Sequence, residues 1–238
     1  MPAAELFATR LDTHARERPE AVALIDRDRP VTHAALRAGV LDLAGGLAAL
    51  GVCRGERVAL WLPNCAHWVT MFLACARLGA LTLAVNTRFR AQELGDILGR
   101  GQADWLVYWP GFKGIDFAGI LAAVPPAARA RLRGAIVVDG SGAQATPGPA
   151  GLAAHALATL HGPAPLPAPN AGVLCFTTSG TTSLPKFVLH DQDTLLRHGD
   201  AIARSYGYDD DSRIRPAPPF AARSASPPWW ARWRAACR

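Results

Sequence analysis

RVALWLPNCAHWVTMFLACARLGALTLAV, residues 57–85, carries two short apolar runs, RVALWL and ALTLAV, on either side of a longer segment that opens near Asn64 and stops at Gly79. The outer runs have strand length, and the inner segment has helix length with Asn64 as its expected N-cap and Gly79 as its C-terminal stop. Strand, helix and strand in that order make a βαβ unit, whose two strands lie parallel in one sheet. The stretch is the nearest approach to a membrane segment in the chain, but Pro63, Asn64, His67 and Arg77 interrupt it. Its longest unbroken apolar piece falls far short of the roughly 20 residues a span needs.

The same alternation runs outward in both directions. Upstream, residues 3–18 form an amphipathic helix stopped by Pro19, residues 21–25 a short strand, residues 26–30 a charged turn, and residues 33–50 a helix with Thr32 as N-cap and Gly51 as stop. Downstream, the pattern predicts a helix over 91–100, a strand over 104–109, a helix over 115–124 and a strand over 134–139. Residues 140–170, rich in Gly, Ala and Pro, read as a loop with one short helix at 152–160, and residues 171–176 as a further strand. The fold class is therefore α/β, a mostly parallel sheet with helices on both faces.

Half of the 238 residues are apolar, enough for a sizeable core. The five cysteines (Cys53, Cys65, Cys75, Cys175, Cys237) are odd in number and scattered, with no CxxC pair and no Cys/His cluster at metal spacing. That pattern suits a reducing cytoplasm and gives no metal ligands. Glu5, Arg10 and Asp12 interrupt any export signal.

The net charge of +6 has a location. Residues 213–238 hold six arginines and no acid, so residues 1–212 keep 19 basic against 19 acidic side chains and are neutral. The tail also holds three of the seven tryptophans and has neither helical nor strand period. It reads either as a basic aromatic arm for RNA or an anionic surface, or as GC-rich coding sequence translated out of frame after a frameshift. The abrupt change of character favours the second, and no specific nucleic acid is expected as a partner.

The strand at 171–176 delivers the chain into CFTTSGTTSLPKFVLH, residues 175–190. A loop of glycine and hydroxyl residues can wrap an anion with its backbone N–H groups, and a lysine at its end adds a mobile positive charge. Only Lys113 and Lys186 among the 25 basic residues are lysines. The loop is not of the Walker type, because Pro185 stands where the second glycine should be and Phe187 where Ser or Thr should bind magnesium.

TTSGTTSLPK, residues 177–186, resembles the phosphate-loop signature of the adenylate-forming (AMP-binding) superfamily, with Ser183 and Phe187 standing where glycines are usual. The segments VTHAALRAGVLDLAGGLAALGVCRGERVALWLPNC and FLACARLGALTLAVNTRFRAQELGDIL, the latter with Gly79, Ala80, Asn86 and Arg88, are similar to earlier family segments, and the Asn-Thr-Arg form and the PKFVLH ending look more like the acyl-CoA synthetases, that is, the acid–CoA ligases. The resemblance implies the first part of the large N-terminal domain of such a ligase over residues 1–212, with 213–238 set apart. It implies activation of a carboxylic acid with ATP and Mg²⁺ to an acyl-adenylate, then transfer to coenzyme A. It also implies that Thr178, Ser179, Gly180, Thr181, Thr182 and Lys186 hold the ATP phosphates. The family's later motifs (Tyr-Gly-x-Thr-Glu, the ribose-binding Thr-Gly-Asp and the adenylation lysine) are not found here, so no catalytic residue is identifiable. Activity would then need a complementing C-terminal chain, and a catalytically inactive remnant or a nucleotide-binding fragment is the alternative. His190 is expected to cap or pack, Asp191, Asp193 and Asp209-Asp210-Asp211 to cap and solvate, and Cys175 to be an inert core thiol.

Overall fold

The computed structural model describes residues 5–138, 149–178, 186–209 and 212. The βαβ unit is present as β3 (Arg57–Trp61), α3 (Ala66–Leu78) and β4 (Leu81–Ala84), with β3 and β4 parallel. Gly79 closes α3 in the left-handed conformation, φ 72°. The start of α3 corrects the expected cap: Cys65, not Asn64, is the N-cap, and it makes no side-chain cap bond.

The elements before it are α1 (Phe7–Glu17), β1 (Val22–Asp26), β2 (Arg29–Thr32) and α2 (His33–Leu50). Thr32 caps α2 as expected, its Oγ1 accepting from Ala35 N at 3.2 Å, and Gly51 ends it at φ 95°. The charged turn proves tighter than the sequence suggests. Arg27 and Asp28 both take positive φ, a two-residue turn whose twist suits a hairpin, so β1 and β2 pair antiparallel as a small separate sheet.

After β4 come α4 (Ala91–Arg100), β5 (Trp105–Tyr108), α5 (Phe117–Ala122), α6 (Pro126–Arg129) and β6 (Gly134–Val137). The short helix expected at 152–160 is not formed. That segment is β7 (Ala154–Ala156) between two 3-10 turns, because residues 154–156 pair with β6. The chain then forms β8 (Gly172–Thr178), β9 (Lys186–Asp191) and α7 (Gln192–Ser205).

Among the described residues the main sheet has seven strands in the order β7-β6-β5-β3-β4-β8-β9, all parallel except β9. Side chains alternate between two cores. Val58, Leu60, Val107 and Leu174 face Phe7, Leu47, Phe72 and other residues of α1, α2 and α3. Ala59, Trp61, Leu106 and Cys175 face Leu94, Leu98, Phe117 and Leu121 of α4 and α5. A sheet buried on both sides needs apolar residues at nearly every strand position, which is what β3, β5 and β6 carry.

One described helix, α2, is long and apolar enough to cross a membrane by length and composition. In this fold its Leu36, Val40, Leu43 and Leu47 are core side chains.

Candidate functional site

The crossovers place a crevice at the C-terminal ends of the parallel strands. The chain leaves β3 for α3 on one face of the sheet and leaves the adjacent β4 for α4 on the other, which makes β3/β4 a topological switch point. Its mouth is braced by side chains. Trp61 Nε1 at the end of β3 donates to Asn86 O just past β4 at 3.1 Å, and the Trp61 ring meets Phe117 edge-on at 4.4 Å. Asn86 Oδ1 accepts from Arg88 N at 3.0 Å and Asn86 O from Phe89 N, so the Asn-Thr-Arg turn is held from inside and Arg88 is left exposed.

β8 lies beside β4 and ends at the same side of the sheet. Val173, Leu174, Cys175 and Phe176 are all buried, so the strand is a rigid stem for the hairpin it opens. The chain comes back antiparallel as β9 with Lys186 directly opposite Thr178. Of the six residues the resemblance assigns to ATP phosphates, the structure therefore brings Thr178 and Lys186 together across the open end of one hairpin, with the Lys186 side chain exposed. Ser179, Gly180, Thr181 and Thr182 lie outside the described residues, as do the tail from 213 and Asp210 and Asp211.

The other singled-out residues take structural places. His190 is half-buried on β9 and edge-on to Phe176, ring centroids 6.0 Å apart. Asp191 caps α7, accepting from Thr194 N at 2.7 Å. Asp193 accepts from Glu5 N and from Arg197 Nε, and those bonds, the Arg197 one foremost, hold its carboxyl below the usual carboxylate range. Asp209 accepts from the Ser212 hydroxyl. Burial pushes the Cys175 thiol up, as befits a core thiol. Among the described residues no three His, Cys, Asp or Glu side chains group as a metal site.

Sequence reasoning missed a basic and aromatic cluster at the same end of the sheet. Arg27, on the β1–β2 turn, stacks over Trp109 at 4.9 Å, His67 meets that ring edge-on, and Phe112 and Lys113 continue the row. The available signal was Trp-Pro-Gly-Phe-Lys-Gly directly after β5, a turn carrying the chain's other lysine.

A largely parallel sheet covered on both faces, with a crevice at its strand ends and a lysine-bearing hairpin beside it, defines an α/β domain of the kind that takes ligands beyond the carboxyl ends of its strands. Residues 11–230 match the family model described as AMP-binding enzyme, and the chain belongs to that family. Relatives include a methyl-dioxo-octahydroindenyl-propanoyl:CoA ligase of Mycobacterium tuberculosis, 42% identical over 130 residues covering 54% of this chain and 26% of that one. The medium-chain acyl-CoA ligase ACSF2 of Homo sapiens is 35% identical over 118 residues, covering 49% of this chain and 19% of its own. Acetoacetyl-CoA synthetase from Streptomyces lividans superposes with a TM-score of 0.70 at 26% identity, covering 84% of this chain and 32% of that one. The fold likeness extends to MbtA of Mycobacterium smegmatis, TM-score 0.80 at 24% identity, covering 97% of this chain and 42% of that one. The chain thus spans 26% or less of the two ligases' length.

Proposed function

We propose that this chain is the phosphate-binding, N-terminal portion of a cytoplasmic ATP-dependent acid–CoA ligase. The observation that carries the reading is the β8–β9 hairpin, which sets Lys186 opposite Thr178 at the carboxyl end of the sheet with Ser179, Gly180, Thr181 and Thr182 between them in sequence. Backbone N–H groups and hydroxyls of that segment would hold the β- and γ-phosphates of ATP, and Lys186 would neutralise charge on the departing pyrophosphate. The contribution is positional and electrostatic. The Lys186 ammonium suits phosphate oxygens, and Mg²⁺ would come as the ATP complex. The carboxylic acid supplies the nucleophile and coenzyme A the final acceptor.

The residues that the resemblance implies for adenine, ribose and the adenylation lysine are not in this chain, so acid activation would need them from elsewhere. A titration with ATP, run beside a pyrophosphate-release assay over a panel of carboxylic acids, tests this. The expected result is ATP binding without pyrophosphate release by the 238 residues alone. Robust release would overturn the division of labour, and absence of ATP binding would overturn the reading itself.

For residues 213–238 we propose an out-of-frame origin on composition, against which the continuation of the family match to residue 230 counts. Tryptophan has a single codon, TGG, so the neighbouring frames around Trp229, Trp230 and Trp233 are largely determined. Shifted by two nucleotides, and with CGN arginine codons, Pro228 to Arg234 would read as Leu/Met/Val, Val, Gly, a small residue, Leu/Met/Val and Ala. That is an apolar run that a sheet domain can bury, in place of one rich in Arg and Trp. Sequencing the coding DNA on both sides of the junction decides it: an uninterrupted frame with no ligase-like reading in the alternative frame would refute the frameshift.

A further inference from the structure

β9 carries Lys186, and its own side chains fix its register only in part: Phe187 packs on the core of α4 and α5 with Arg100 5.0 Å over its ring. Lys186 and Leu189 are exposed and the other four residues are only half-buried. A strand with one buried face resists slippage because a one-residue step turns that face to water. No residue of β9 is fully buried, so this protection is weak and its register depends also on what holds its ends.

The junction of β9 with α7 supplies the hold. Gln192 is 1% exposed, and every polar group of its amide and its backbone N–H is engaged with a different element. Its Oε1 accepts from Phe7 N at the start of α1 at 3.0 Å, and its Nε2 donates to Ala76 O near the end of α3 at 3.3 Å. Its backbone N donates to Asn170 Oδ1, just before β8, at 3.2 Å. α3 leads directly into β4, the strand on the other side of β8. The side chain therefore ties the end of β9 to the elements that fix β8 and β4. Leu189 adds a second stop, since it lies over Gly172, where a Cβ would come within 2.9 Å of Leu189 Cδ1.

Resting on the phosphate-loop reading above, we propose that Gln192 is a positioning residue for Lys186. Its amide pins the register of β9 from about 20 Å away, the length of six extended residues, and so keeps Lys186 opposite Thr178. The test uses the whole chain with Gln192→Leu, which removes both amide bonds, and Gln192→Glu, which keeps the acceptor for Phe7 N and loses the donor to Ala76. Hydrogen exchange at residues 187–189 is read against residues 105–108 of β5, together with affinities for ATP and for adenosine. Gln192→Leu is expected to speed exchange in β9 about tenfold or more, at least the scale of one net buried hydrogen bond, to leave β5 unchanged, and to weaken ATP, with adenosine binding neither protein. Gln192→Glu buries a carboxylate beside Ala76 O and is expected to speed exchange in β9 at least as much at neutral pH, and Gln192→Met, of similar length without either bond, carries the same test where Gln192→Leu does not fold.

Unchanged exchange in β9, equal acceleration in β5 and β9, or faster exchange in β9 with ATP affinity intact would each overturn the role. Failure of the phosphate-loop reading looks different. Wild-type chain would then bind ATP no better than adenosine, and the exchange comparison would still decide whether Gln192 pins β9.

Discussion

Two glycines in α2 should respond to alanine with opposite signs. Gly46 packs against the main chain of the segment that comes after β7: a Cβ there would lie 2.3 Å from Leu160 C and 2.5 Å from His161 N. Carbon atoms rest at about 3.5 Å or more, so the segment at 160–161 must retreat by about 1.2 Å, drawing Leu157 and Leu160 away from the core they pack against. Overpacking of this kind costs about 1–3 kcal/mol, and an unyielding backbone neighbour places it at the upper end. Alanine recovers about 1 kcal/mol of helix propensity. The net expectation for Gly46→Ala is a loss of about 2 kcal/mol. Gly39, on the same helix, has Thr70 Cγ2 at 3.8 Å as its nearest neighbour, an ordinary contact. Gly39→Ala should therefore stabilise by up to about 1 kcal/mol. Urea denaturation at constant m-value reads both shifts in the midpoint. A Gly46→Ala protein as stable as wild type, or a Gly39→Ala protein destabilised to the same extent as Gly46→Ala, would refute the packing of 160–161 across α2.

Thiol accessibility and acid stability give two further expectations. In a Cys237→Ser background, one fast thiol should react with a disulfide reagent at neutral pH, the exposed Cys53, and Cys53→Ala should abolish that phase. Burial holds back Cys75, pushed up to about 12, and Cys65, pushed up to about 11, and both should react on unfolding; two fast phases in the folded chain would contradict this. Asp193 has a depressed folded pKa, so its contribution is present above the unfolded carboxylate value of about 4 and is lost as pH falls through the folded one. Asp193→Asn should therefore be less stable than wild type at pH 7 and converge with it in acid; parallel stability curves down to pH 2 would refute the link.

The parts of the fold legible in the sequence are those whose pattern is local. α4 spans 91–100 as the sequence pattern predicts, and β3–α3–β4 emerge from two apolar runs around a helix-length segment. β7 was illegible because Ala154–Ala156 has no strand propensity of its own and becomes a strand by pairing with β6. β2 was hidden by Arg29 and Pro30, which a two-stranded edge tolerates. The order of strands was hidden for another reason. β8 returns across the sheet to lie beside β4, and no local spacing records that long crossover. For the candidate site, the loop signature named its residues, but the partner strand β9 was masked by the same signature and by its weak alternation. Gln192 carried no signal, since a lone glutamine after an aspartate reads as the first turn of a helix and nothing more.

The claim that the β8–β9 hairpin cradles ATP phosphates is tested most directly by calorimetric titration of the whole chain with ATP and with adenosine, for wild type and for Lys186→Ala. Wild type is predicted to bind ATP and not adenosine, which lacks the phosphates, and Lys186→Ala to lose about tenfold or more of the ATP affinity, the scale of one charge-assisted hydrogen bond. Equal ATP affinity in the two proteins, both folded, would contradict it.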